Sequence, residues 1–256
     1  MSLLNFFTKK TINNNNNNNN DSDNQESCKI KEDDRIKGLK IIENIFNDEY
    51  HDKLWAEVNK CEWDDKSLLR RTQHYGYKYN YKSRQLKDED IAPPFPQWAN
   101  DLIMLLLEKQ IINDTPKQLI VNEYKDNQGI SAHVDSKIFG NLIFSISLGS
   151  KCKMVFKKKI ENKSNNTDDN TSNSKDKSKA TSTNNTKNKV EYEKIEKELL
   201  PNSIVLLQDE SRYLWTHEIP KLKKGDHRIS LTFRYLLNDK DDEKPKKNKA
   251  KKYSPY

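Results

Sequence analysis

The chain has 256 residues, 33% of them charged and 33% hydrophobic, with a net charge of +7. That length fits one domain, and no apolar run approaches the ~20 residues a helix needs to cross a bilayer, which excludes a helical membrane protein. The three cysteines, Cys28, Cys61 and Cys152, form no CxxC pair; this excludes a zinc knuckle and a disulfide framework and fits a reducing compartment, the cytosol or nucleus.

Residues 13–20 are an unbroken asparagine run. Nothing near them can bury a core, so 1–34 is expected to be a disordered leader. Its first ten residues, "MSLLNFFTKK", put the lysines after the apolar residues, the reverse of a secretory signal. The lack of acids before Asp21 leaves a mitochondrial presequence open, although the low arginine content argues against one. Leu3, Phe6 and Phe7 resemble the anchors of a truncated clamp-binding peptide, which would make a sliding clamp a partner; the usual preceding glutamine has no room. The alternative is a leader with a few apolar residues.

The domain is expected over 35–237. "LKIIENIF" (39–46) reads as a strand, and "NDEYHDKLWAEVNK" (47–60) as a helix capped by Asn47 or Asp48, with Leu54, Trp55 and Val58 on one face. "FPQWANDLIMLLLEKQ" (95–110) reads as a second helix. Short strand-like runs follow at 118–124, 141–149, 152–156, 203–208, 213–219 and 228–237. Helices followed by many short strands indicate an α+β, mainly β chain with a sandwich or barrel core. Between the strands at 152–156 and 203–208, residues 160–189 form an Asn/Ser/Lys-rich tract. It reads as an insertion in a hairpin, because loop closure cost grows slowly with length. The tail 238–256 is basic and expected to be disordered. Its "KPKKNKAKK" (244–252) has the composition of a nuclear import signal, so the protein is expected in the nucleus, the cytoplasm or both. The positive balance favours anionic partners, but half of that argument is the composition of the expected disordered tails, so it is weak evidence for nucleic acid.

The stretch "GISAHVDS" holds His133 and Asp135. Residues i and i+2 of a strand point to one face, so both could reach one ion. Two histidines and a carboxylate on one face of iron, with positions left open, are the ligand set of non-haem Fe(II) oxygenases. The second histidine must come from His51, His74, His217 or His227. His217, late in "SRYLWTHEIP", is the best placed, since His51 lies in the expected first helix, His74 in a tyrosine-rich loop and His227 in a turn. In "RISLTFRYL", Ile229, Leu231, Phe233 and Tyr235 alternate with Arg228, Ser230, Thr232 and Arg234. Six strand residues span ~20 Å, and two long arginines bending inward could hold a small dicarboxylate. The plain alternative is an amphipathic edge strand. Asn122 and Tyr124, again i and i+2, can both donate to a carboxylate.

The series Asn122-x-Tyr124, His133-x-Asp135, "SISLG" (145–149), "ESRYLWTHEI" (210–219) and Arg228-x5-Arg234 resembles the AlkB family of Fe(II)/2-oxoglutarate dioxygenases in order and roughly in spacing. The resemblance covers about 70–159 and 190–236 and implies a double-stranded β-helix, or jelly roll, with supporting N-terminal helices. It implies Fe(II) on His133, Asp135 and His217, and 2-oxoglutarate and O2 as cosubstrates. Asn122, Tyr124, Arg228 and Arg234 would hold the 2-oxoglutarate, Arg228 at the distal carboxylate and Arg234 near the iron end. Ser145 would touch it as well, and Ser230 stands where some relatives have asparagine. "RRTQHYGYKYNY" (70–81) is similar to the substrate lid of the branch that includes the tRNA wobble-uridine hydroxylase. Arg70, Arg71, Tyr75 and Tyr77 are therefore the expected substrate contacts, with Tyr79 and Tyr81 and the cations Lys78, Lys82 and Arg84 continuing the pattern. Interleaved aromatics and cations suit base stacking and phosphate contact; the alternative, for about half of these tyrosines, is cross-strand packing. Trp215 reads as core. The expected activity is oxidation of modified nucleic-acid bases, a tRNA wobble uridine or alkylated DNA or RNA, with a protein or small-molecule hydroxylase on the same fold as the alternative.

Overall fold

A computed structural model describes residues 28–77, 91–160 and 191–237. The leader through residue 27 with its clamp-like Leu3, Phe6 and Phe7, the lid residues 78–90, the tract 161–190 and the tail 238–256 with its basic run lie outside them.

Eleven strands and three helices follow one another among the described residues: β1 (Lys29–Glu32), β2 (Leu39–Glu43), α1 (Asp48–Lys60), β3 (Thr72–Tyr75), α2 (Gln97–Glu108), β4 (Gln118–Lys125), β5 (Ile130–His133), β6 (Phe139–Gly149), β7 (Cys152–Lys159), β8 (Tyr192–Leu199), β9 (Ser203–Leu207), α3 (Asp209–Tyr213), β10 (Thr216–Ile219) and β11 (His227–Leu236). A seven-stranded antiparallel sheet runs β1-β2-β9-β6-β11-β4-β3, and a four-stranded one runs β5-β10-β7-β8. The expected mainly-β, double-stranded β-helix architecture is the one observed.

Two apolar layers hold the sheets. The first lies between the larger sheet and the helices, where Leu119, Phe144, Ile229, Leu231 and Phe233 pack against Leu54, Val58, Leu102 and Leu106. The second lies between the two sheets and joins Ile41, Val205 and Leu207 to Phe156, Ile195 and Trp215. Trp215 is core, as expected. The alternation in β11 follows from these layers. Ile229, Leu231 and Phe233 point to the helices, while Arg228, Ser230, Thr232 and Arg234 face the smaller sheet. β11 is not an edge strand but is central, paired with β4 and β6 along its length.

α1 begins where the Asn47 side chain accepts the Tyr50 N–H at 2.9 Å, so Asn47 rather than Asp48 is the cap. Tyr50, Leu54 and Val58, four residues apart, form its buried stripe, and Trp55 is only partly buried. At the end of β6, Gly149 has φ +78°, and a Cβ there would lie 2.4 Å from the His227 carbonyl oxygen. This tight turn launches β7, which pairs with β8 out to Lys159 and Tyr192. The low-complexity tract is thus carried between the two strands of one hairpin. β1 falls inside the stretch read as a disordered leader: its four exposed residues pair with β2, and the ladder rather than burial orders them.

Candidate metal and cosubstrate site

The metal ligands converge through strand register. β5 and β10 pair antiparallel with His133 directly opposite His217, and directly opposed side chains share a face. Their rings lie 4.4 Å apart between centroids. Asp135 is not on the strand, as the i, i+2 argument assumed, because β5 ends at His133. Two arginines place it instead. Arg234 reaches across from β11, donating to Asp135 Oδ1 from Nε (3.0 Å) and Nη2 (2.6 Å). Arg212 of α3, itself 1% exposed, donates to the carbonyls of Asp135 (2.9 Å) and Ser136 (2.6 Å). Asp135 Oδ2 is left facing His217 Nε2 at 3.4 Å. Ligand atoms of His133, Asp135 and His217 all lie within 4.8 Å of one another, the only such metal-ligating cluster among the described residues.

The protonation states suit a metal. Burial alone would raise the Asp135 carboxyl, but Arg234, followed by the two histidines and Arg212, holds it well below the usual carboxylate range. Burial pushes His217 down to about 4, with His133, Arg234 and Arg212 adding to the effect against the opposing Asp135 charge. The imidazole is therefore neutral, the ligating form, at pH 7. His133 Nδ1 lies 2.8 Å from the Ser131 carbonyl. A carbonyl only accepts, so the ring proton sits on Nδ1 and Nε2 is free for an ion.

Beside this cluster runs a polar stripe. Register places Arg228 opposite Tyr124, Ser230 opposite Asn122 and Ser147, Thr232 opposite Ser145, and Arg234 opposite Gln118. Ser145 Oγ is 2.8 Å from Ser230 Oγ and 3.2 Å from Thr232 Oγ1. Gln118 Oε1 accepts from Arg234 Nη1 at 3.0 Å. Arg228 is 1% exposed and donates from Nη2 to Ser147 Oγ at 2.9 Å, but its Nε and Nη1 find no hydrogen-bond partner among the described residues. A buried guanidinium with two nitrogens whose N–H groups are unspent is costly unless an anion meets it. A carboxylate of a bound dicarboxylic acid fits that need, and the two-histidine, one-carboxylate donor set fits Fe(II).

The expected substrate contacts separate. Arg70 turns inward, donating from Nε to Asn122 Oδ1 at 2.8 Å. Arg71 turns to the opposite face of β4, where Nε and Nη2 grip the two oxygens of Glu123 at 2.5 and 2.7 Å. Tyr75 is buried under α2, edge-on to Trp98, and its hydroxyl donates to Gln73. It packs in the core rather than on the surface where substrate was expected to meet it, because in an alternating strand one face had to meet the helices. Tyr77 is partly buried, and its carbonyl accepts from Gln118 Nε2 at 2.9 Å. Tyr79, Tyr81, Lys78, Lys82 and Arg84 lie outside the described residues. Of the rejected histidines, His51 accepts the Gly149 N–H at 3.0 Å, and His227 is 2.9 Å from Glu123. Arg212 and Gln118 were missed from sequence. The arginine three residues before a buried tryptophan in "ESRYLW" was the available signal; Gln118 had none.

Two histidines and a carboxylate inside a double-stranded β-helix, beside a buried arginine lacking an anion, define a non-haem iron oxygenase centre. A profile of the 2OG-Fe(II) oxygenase superfamily matches residues 38–234, and the chain belongs to that family. Within it the chain is AlkB-like. It is 29% identical to an uncharacterised protein of Acanthamoeba polyphaga mimivirus, covering 83% of this chain and 91% of that one. It is 30% identical to the mouse tRNA (carboxymethyluridine(34)-5-O)-methyltransferase ALKBH8 over 77% of this chain, yet it spans only 26% of that protein's length. It is 25% identical to a Caenorhabditis elegans DNA N6-methyl adenine demethylase, covering 85% of this chain and 67% of that one. The solved structure of OsALKBH1 superposes with a TM-score of 0.52 at 14% identity, covering 81% of this chain and all of that one, which supports the fold.

Proposed function

We propose that this oxygenase oxidises modified bases of nucleic acid, hydroxylating or demethylating them, with tRNA the preferred substrate and alkylated DNA or RNA the next. The observation that carries the reading is the basic loop at the site's edge. Lys221, Lys223 and Lys224 are exposed and make no ion pair among the described residues. Their loop leaves the His217 strand and is hydrogen-bonded, Leu222 to Asn127 and Gln128, onto the turn that enters the His133 strand. Lysines without an ion pair among the described residues, on the loop that leaves a metal-ligand strand, suit a phosphate backbone. The names of the mouse and nematode relatives, a tRNA enzyme and a DNA demethylase, point the same way.

His133, Asp135 and His217 would hold Fe(II), and bound iron with 2-oxoglutarate and O2 supplies the oxidising chemistry. Arg228 would pair its unspent N–H groups with the distal carboxylate of 2-oxoglutarate. Asn122 and Tyr124 would donate hydrogen bonds to it, and Arg234, already on Asp135, would stand at the metal end. Burial of these groups keeps water from the charges they hold. A hydroxylated carbon on nitrogen leaves as formaldehyde; elsewhere it remains an alcohol.

Purified full-length protein with Fe(II), ascorbate and 2-oxoglutarate should form succinate. Nucleosides digested from tRNA and from alkylated DNA, compared by mass spectrometry with and without enzyme, should show one oxidised or demethylated species. Succinate with no change in either pool would reject the nucleic-acid reading in favour of a protein or small-molecule hydroxylase.

A further inference from the structure

Arg70 was expected to meet substrate, yet its guanidinium faces the cosubstrate stripe. Its Nε donates to Asn122 Oδ1 at 2.8 Å, and its charge lies 5.6 Å from the centre of the Tyr124 ring. Arg228 lies 5.5 Å from the same ring. The residues on either side of Arg70 are both tied down. The Leu69 carbonyl accepts from Gln128 Nε2 at 2.9 Å, and Arg71 grips Glu123 with two bonds. The backbone thus presents Arg70 toward β4 in a fixed way, and Thr72 then pairs directly with Asn122 as β3 begins.

The consequence falls on Asn122. A guanidinium only donates, so the amide oxygen must face Arg70. The Asn122 Nδ2 end, with two donors, is thereby turned away, and it finds no partner among the described residues although the residue is only 7% exposed. Its β11 neighbour on that face is Ser230. Without Arg70, no other hydrogen bond among the described residues distinguishes the two ends of the amide, and half of its orientations would present an oxygen to an incoming carboxylate.

We infer that Arg70 is a positioning residue for the cosubstrate: it locks the Asn122 amide so that Nδ2 donates to a carboxylate of 2-oxoglutarate. This rests on the cosubstrate reading above. It also places the first residue of the lid-like segment in contact with the cosubstrate's holder.

The test is a double-mutant cycle on full-length protein loaded with Mn(II), with 2-oxoglutarate binding followed by calorimetry. Arg70→Met should weaken binding about tenfold, the worth of one hydrogen bond, and Asn122→Ala by at least as much. The double variant should be no weaker than Asn122→Ala within twofold, because a residue acting through Asn122 has nothing left to position. Arg70→Lys should recover part of the loss. In substrate-free turnover, Arg70→Met should raise KM for 2-oxoglutarate with kcat within twofold, a split that a general loss of structure would not give; equal melting temperatures control for folding. Binding by Arg70→Met equal to wild type, or losses that multiply in the double variant, would overturn the inference and leave the cosubstrate reading standing. Failure of the wild-type protein to bind would sink both.

Discussion

Arg234 spends two N–H groups on a single oxygen of Asp135, Nη2 at 2.6 Å and Nε at 3.0 Å. This leaves the other oxygen for a metal and makes a buried ion pair of side chains 12% and 6% exposed. Removing one partner strands the other. Asp135→Ala should therefore destabilise the metal-free protein by about 3–5 kcal/mol, read from urea unfolding. Adding Arg234→Met should restore part of that loss. A double variant as unstable as the sum of the singles would show that the pair is not coupled.

His133 differs from Asp135 in that it is only half-buried and makes one hydrogen bond, to a carbonyl two residues away. His133→Ala should abolish succinate formation while costing about 1 kcal/mol or less of stability. Visible absorption during Co(II) titration should show the loss of a strong site. Activity or Co(II) affinity at the wild-type level would refute the ligand assignment.

Strand periodicity made much of this legible. The alternation of β11 was plain in "RISLTFRYL", and the ligand types at 133, 135 and 217 were enough once all were seen together. What was hidden follows from tertiary geometry. His133 and His217 meet only because β5 and β10 pair, and the intervening tract lengthens their separation without altering that register. The position of Asp135 depends on Arg212 and Arg234, whose partners lie 77 and 99 residues away. Tyr75 and Tyr77 looked alike in an alternating run, yet one meets α2 and the other contacts Gln118, a choice made by which face the helices cover.

Glu123 carries a pH dependence. Burial raises its carboxyl, but hydrogen bonds from Arg71, His227 and Lys125 outweigh this and lower it from 4.5 to about 2. A depressed carboxyl stabilises the fold above its unfolded value and loses that contribution as pH falls through the folded one. Glu123→Gln should therefore be less stable than wild type at pH 7, by about 2 kcal/mol for the lost charge-assisted bonds. The gap should close between pH 4.5 and about 2. Thermal melts of both proteins across that window would check it, and a gap independent of pH would mean that the carboxylate charge contributes nothing.

The basic loop gives a measurable salt signature. If Lys221, Lys223 and Lys224 each neutralise a phosphate, the slope of log affinity against log salt should fall in magnitude by about 2 for single-stranded substrate when all three become alanine, since each contact contributes ~0.7. The three side chains are exposed and make no ion pair among the described residues, so succinate formation without nucleic acid should stay within twofold, which separates a docking defect from a damaged centre. Fluorescence anisotropy of a labelled single-stranded RNA from 50 to 300 mM salt (concentrations of roughly this order give measurable slopes) would provide the comparison. An unchanged slope would remove the loop from the interface and leave nucleic-acid docking to other surfaces.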